Sequence, residues 1–156
     1  MAISVKVESP KQGDVETLLK LSDTVAAALY PGAYRRPLNP ETLSAPNISL
    51  FVARNDGLVA AGCCAVFDHF DGTAELKRMI VDPAFRQQGV GRALLSAAEA
   101  AAIDKGIHLI LMEVGIRNTD GQNLYRRAGF RQRGPFGSYR ASPISLFFEK
   151  PIARDA

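Results

Sequence analysis

Residues 86–92 read Arg-Gln-Gln-Gly-Val-Gly-Arg and fall between a strand-like run and a helical one. No other segment constrains the chain as much. Two glycines let the backbone approach a ligand closely and adopt conformations that a side chain forbids. The helix that starts there leaves its first N–H groups without intrahelical partners and carries partial positive charge, so its mouth is an anion site suited to phosphate. Arg86 and Arg92 add charge and bidentate donors. A P-loop would need Lys-Ser/Thr after its last glycine, and none is present. A dinucleotide fingerprint would put a small residue where Leu94 stands, and the preceding strand follows a hairpin rather than a βαβ unit. The pattern that fits at each fixed position from Arg86 to Gly91 is Arg/Gln-x-x-Gly-x-Gly/Ala.

The rest of the chain supplies a frame for that loop. Residues 3–8 alternate apolar and polar as a strand does, and Val15, Leu18, Leu19, Val25 and Leu29 form one helical stripe. The proline-rich stretch 31–47 reads as loop or short helix. Runs 48–54 and 58–67 flank Asn55-Asp56-Gly57, a hairpin signal, and 73–81 follows Asp71-Gly72. Helical periodicity runs from Gly89 to a cap at Gly106, 108–114 reads as a buried strand, Asn118 to Arg127 as a short helix, and 144–150 as a last strand. The order β-α-β-β-β-α-β-α-β indicates a mixed α/β (α+β) fold. At 156 residues with no repeat or linker, one domain over 1–156 is expected. A formal charge of +3 is far below the basic bias of a dedicated nucleic-acid binder. The adjacent Cys63 and Cys64 point to opposite faces of a strand and cannot form an easy disulfide, and no Cys or His spacing suggests a metal site. No signal peptide or membrane span is legible, so a cytoplasmic protein without membrane or nucleic-acid partners is expected.

The segment ELKRMIVDPAFRQQGVGRALL resembles the central motif of the GCN5-related N-acetyltransferase (GNAT) superfamily. Asn118 followed by GQNLYRRAGF resembles its second motif, and PFGSYRASPISLFFEK resembles the ending of a small bacterial-type subgroup. The resemblance covers residues 73–150 well and the first 72 in element order alone. It implies a mostly antiparallel central sheet flanked by helices and an acetyl-CoA-dependent transfer to a primary amine, by direct attack through a tetrahedral intermediate, without a metal. The cofactor's pantetheine would pair with the main chain of Met79, Ile80 and Val81, and its pyrophosphate would lie on Gln87, Gln88, Gly89, Val90, Gly91 and Arg92 beside Arg86. A backbone donor near Ile80 would polarise the thioester carbonyl; such a donor can contribute ~3–4 kcal/mol as the oxyanion forms.

The resemblance also suggests catalytic groups. Tyr125 holds the position from which relatives protonate the departing thiolate, its alternative being a packing tyrosine. Asn118 would contact the pantetheine, cap a helix, or do both. A Lys-like amine has a pKa of ~10.4, so a proton acceptor is needed near neutral pH. Glu75 aligns with the strand glutamate that serves as base in several relatives; its alternative is a surface glutamate paired with Lys77 or Arg78. His69 could act instead through water. The acceptor is expected to touch Tyr30, Tyr34, Arg35, His69, Glu75 or Tyr139, and a small-molecule amine is favoured over a protein lysine or N-terminus. A homodimer stays open. Two rival classes are a non-catalytic acyl-CoA-binding module, against which Tyr125 and Glu75 speak, and a nucleic-acid binder using Arg35, Arg36 and the arginines at 126–133.

Overall fold

The computed structural model describes residues 2–29 and 39–153, and each expected strand and helix forms within two residues of its predicted bounds. Tyr30, Tyr34, Arg35 and Arg36 lie outside the described residues. In chain order come β1 (Ile3–Val7), α1 (Gly13–Leu29), α2 (Pro40–Leu43), β2 (Ile48–Asn55), β3 (Val59–Asp68) and β4 (Thr73–Val81). A 3-10 turn at Pro83–Phe85 leads to α3 (Val90–Asp104), β5 (Leu109–Gly115), α4 (Thr119–Arg127), β6 (Arg131–Arg133) and β7 (Ser145–Pro151). Strand β6 is the element the sequence pattern missed. Its Arg-Gln-Arg run has no apolar alternation to read, and it forms at the sheet edge because β7 offers a free ladder and Glu149 a partner for Arg133 at 2.9 Å.

The seven strands form one sheet in the order β1-β2-β3-β4-β5-β7-β6. Each neighbouring pair is antiparallel except β4 and β5. Helices α3 and α4 cover one face with a core that includes Cys64, Leu94, Ile110 and Phe148. Helices α1 and α2 cover the other over Leu50, Val52, Cys63 and Ala65. The two cysteines therefore occupy opposite faces, both buried and unbridged, and burial pushes the Cys63 thiol up to about 12, far from a reactive thiolate. Among the described residues no helix is long and apolar enough to cross a membrane.

Arg54 anchors the start of α1. Its guanidinium meets Glu8 at 2.8 Å and Asp14 at 2.7 Å, and these bonds hold both carboxyls below their usual range. Close by on β3, two residues beyond the ladder partner of Arg54, Gly62 permits a close approach to β4. A Cβ there would stand 2.7 Å from the Ile80 carbonyl oxygen and 3.0 Å from Val90 Cγ1. The first contact is backbone and cannot swing aside. Gly62→Ala is therefore expected to destabilise by about 1–3 kcal/mol, the usual cost of overpacking. The check is a lower urea midpoint at unchanged slope; an unchanged midpoint would mean that the strand yields freely.

Candidate active site

Strands β4 and β5 are ladder partners only from Thr73–Leu109 to Glu75–Leu111. Beyond Glu75 they part, while β5 continues to Gly115 on β7 and β4 continues to Val81 on β3. The β4 edge that faces the gap thus loses its ladder partner, leaving peptide groups available to another chain-like molecule. The opening is a cleft of about 260 Å3, walled by 76–80 of β4, 112–115 of β5, the second half of α1, Asn118 and Tyr125.

A bulge shapes the β4 side. Ile80 pairs with Cys63 but Lys77 with Ala65, so β4 carries one extra residue, and Arg78 absorbs it at φ 59°. An arginine in the left-handed region is strained by roughly 1–2 kcal/mol. Its guanidinium bonds Asp23 of α1 at 2.6 Å, holding the bulge against the helix. The extra residue falls after Lys77, so Lys77 keeps its ordinary alternation with Glu75 on the α1 face, where it meets Phe67 and Tyr139, while the bulge brings Ile80 to that same face. At the far end of α1, Arg117 donates to the Leu29 carbonyl at 2.8 Å and joins the helix to the β5–α4 turn. The sequence pattern suggested none of these links across the cleft.

The loop after β4 has the expected geometry. Gln87 at φ 62° and Gly89 at φ 79° are both left-handed. Ala93 closes the first turn of α3 by donating to the Gly89 carbonyl at 3.0 Å, so the amides ahead of it have no intrahelical acceptor. The two glycines do different things. Beside Gly89 a Cβ would find open space, so only the backbone conformation demands glycine. Gly91 is buried in α3, and a Cβ there would press on Leu124 Cδ2 of α4 at 2.8 Å. The expectation that both glycines matter because side chains would block a ligand is thus refined: Gly91 also serves helix packing. Arg86 and Arg92 are exposed at the mouth.

Two of the expected residues sit on the α4 side. Asn118 caps α4, its Oδ1 accepting from Gly121 N–H at 3.0 Å, which bears out the capping reading, and it also lines the cleft. Tyr125 lines the cleft at 5% exposure, edge-on to Phe130. Burial drives its phenol well above the ordinary value, so the hydroxyl keeps its proton throughout the neutral and mildly alkaline range.

On the α1 face the structure brings Glu75, His69, Lys77 and Tyr139 together. Glu75 is only 5% exposed and so is no surface glutamate, but it does pair with Lys77 as that alternative had it. Tyr139 donates to Glu75 Oε2 at 2.6 Å, and Lys77 Nζ lies 3.6 Å from the same oxygen. His69 Nε2 is 3.7 Å from Oε1, too far for a direct hydrogen bond. Tyr139 is held in turn by Phe136 and Phe147, with ring centroids 5.0 and 5.5 Å away. Its hydroxyl is occupied by the carboxylate.

Residues 46–132 match the acetyltransferase (GNAT) domain family. Over 151 residues the chain is 40% identical to an IAA acetyltransferase of Azospirillum brasilense, covering 96% of this chain and 98% of that one. It is 31% identical over 127 residues to a [ribosomal protein bS18]-alanine N-acetyltransferase of Haemophilus ducreyi, covering 81% and 82%. Among solved structures, a Klebsiella pneumoniae protein described as a candidate acyl-CoA N-acyltransferase superposes with a TM-score of 0.81 at 29% identity, covering 96% and 97%. A Thermoplasma acidophilum N-acetyltransferase in complex with coenzyme A has the same fold, with a TM-score of 0.73 at 24% identity over 97% and 99%. An anion-ready loop, a sheet opened beside it and a matching sequence over most of the chain lead to one assignment: the protein is a member of the GNAT family, an acyltransferase enzyme.

Proposed function

We propose that the enzyme transfers an acetyl group from acetyl-CoA to the primary amine of a small molecule. The observation that carries this reading is the meeting, at the parted ends of β4 and β5, of an unpaired strand edge, a helix mouth with free amides and a buried carboxylate. The donor set fits coenzyme A in kind. Peptide groups at Met79–Val81 suit its amide-bearing arm; the amides of Gln87–Arg92 and the charge of Arg86 suit its diphosphate. The Thermoplasma protein of the same fold holds coenzyme A. The Azospirillum relative, matched nearly end to end, is named for IAA rather than for a protein, which favours a small acceptor. The Haemophilus relative keeps a protein N-terminus as the second reading.

Bound acetyl-CoA supplies an activated acyl group as its thioester. The protein's part is to position and to move protons. Tyr139 and Lys77 engage Glu75 Oε2, leaving Oε1 to take a proton from the acceptor's ammonium. The Ile80 region offers a main-chain donor to the carbonyl oxygen. Tyr125, kept protonated by burial, gives its proton to the departing sulfur. Asn118 steadies the turn between β5 and α4 at the cleft wall.

The test is thiol release from acetyl-CoA over an amine panel that includes small molecules and bS18-like peptides. No release with any amine sinks the reading, and release with peptides alone moves it to the second one. Tyr125→Phe should lower kcat on the order of 10²-fold with little change in the KM for acetyl-CoA, because the lost proton donor acts chiefly in the transition state. An unchanged kcat would make Tyr125 a packing residue.

A further inference from the structure

The amine beside Glu75 belongs to the protein itself. Lys77 Nζ stands 3.6 Å from the carboxylate, 5.2 Å from the Phe67 ring centre and 5.7 Å from that of Tyr139. Two aromatic rings and a buried carboxylate make the surroundings that a site for an alkylammonium acceptor would provide. Lys77 also lines the cleft between β4 and β5, next to Met79 and Ile80. Along one strand the order is carboxylate, amine, then the main chain assigned above to the acyl donor. The Lys77 side chain is 34% exposed, so its flexible stem has room to turn toward the cleft.

We propose that Lys77 is an acceptor for the enzyme's own activity and is acetylated at Nζ when no other amine is present. The inference rests on the proposed use of acetyl-CoA and on Glu75 as base. The Lys77 ammonium loses one proton to the Glu75 carboxylate. The freed lone pair forms the C–N bond to the acyl carbon, and the C–S bond breaks with its electron pair passing to sulfur. The amine's second proton, lost as the amide forms, balances the one that sulfur acquires on leaving as the coenzyme A thiol. Overall, one proton passes through Glu75 to solvent. The product is a neutral amide where a cation stood, so the reaction also removes the positive charge beside Glu75.

The experiment incubates the full chain, without added amine, with acetyl-CoA carrying a heavy-isotope acetyl group. Peptide mass spectrometry then follows label at each lysine. The exposed Lys6 and Lys20 report uncatalysed acetylation. Label at Lys77 should accumulate roughly tenfold faster or more, at the low end of what a positioned base contributes. Its rate constant should not change when the protein is diluted, since the reaction is intramolecular, and Glu75→Gln should bring it down to the rate at Lys6 and Lys20. Labelling of Lys77 no faster than of those two, a rate constant that falls on dilution, or a Glu75→Gln protein labelled as fast as the wild type would overturn the proposal. The amine panel run alongside separates the failures. Turnover of an amine with Lys77 unlabelled removes this inference alone, whereas no turnover and no label remove the proposed function with it.

Discussion

Gly89→Glu should weaken coenzyme A binding by on the order of 10²-fold in a protein that still folds. A Cβ at Gly89 meets no atom within 4 Å, so the new side chain has room. It brings a carboxylate to the mouth of a helix whose value to the ligand is its positive end. Two like charges about 6 Å apart at an effective dielectric near 20 repel by about 3 kcal/mol, which sets the size of the loss. The φ of 79° adds a backbone cost of about 1–2 kcal/mol to folding. Gly89→Asn separates the two effects, because asparagine tolerates the left-handed region and carries no charge. It should keep most of the affinity. Calorimetric titration with coenzyme A, paired with melting curves, reads both. Unchanged affinity in a folded Gly89→Glu protein would take the diphosphate away from this loop. Gly91→Glu is the poorer probe, since its Cβ presses on Leu124 before any ligand is involved.

That loop was legible in the sequence because its chemistry is local. The phosphate cradle proposed for residues 86–92 needs glycines and arginines a few residues apart, and that segment holds both. The cap at Asn118 and the tyrosine at 125 were found the same way, inside one short motif. The α1 face is built from pairs far apart in the chain. Tyr139 reaches Glu75 across 64 positions and Arg78 reaches Asp23 across 55, distances at which a single sequence gives no pairing signal. The bulge that follows Lys77 centres on an arginine at positive φ, where the usual glycine marker is absent. Tyr139 was expected only as an acceptor contact; its bond to the carboxylate expected to be the base is a link that no short motif announces.

Glu75→Gln should lower kcat/KM near neutral pH by about 10²–10⁴-fold, the range typical of a lost general base. The amide keeps the shape of the carboxylate, and its oxygen can still accept from Tyr139, so the aromatic stack of Tyr139, Phe136 and Phe147 should survive. What disappears is an oxygen able to take a proton. Lys77 loses its ion-pair partner but is partly exposed and can turn to water, so the melting temperature should change little. The defect should depend on the acceptor. An amine with a pKa of ~10.4 is almost wholly protonated near neutrality and needs the base, whereas one with a lower pKa is already partly free. The substituted enzyme should therefore recover partly as pH rises, and low-pKa acceptors should suffer less at any pH. Tyr125 does not confound the upper part of the profile, because burial keeps its phenol neutral there. Near-normal rates for Glu75→Gln from about pH 6 to 9 would remove Glu75 from proton transfer. The acceptor would then be water or His69, whose ring lies 3.7 Å from the same carboxylate, and His69→Gln in the Glu75→Gln background would decide between them.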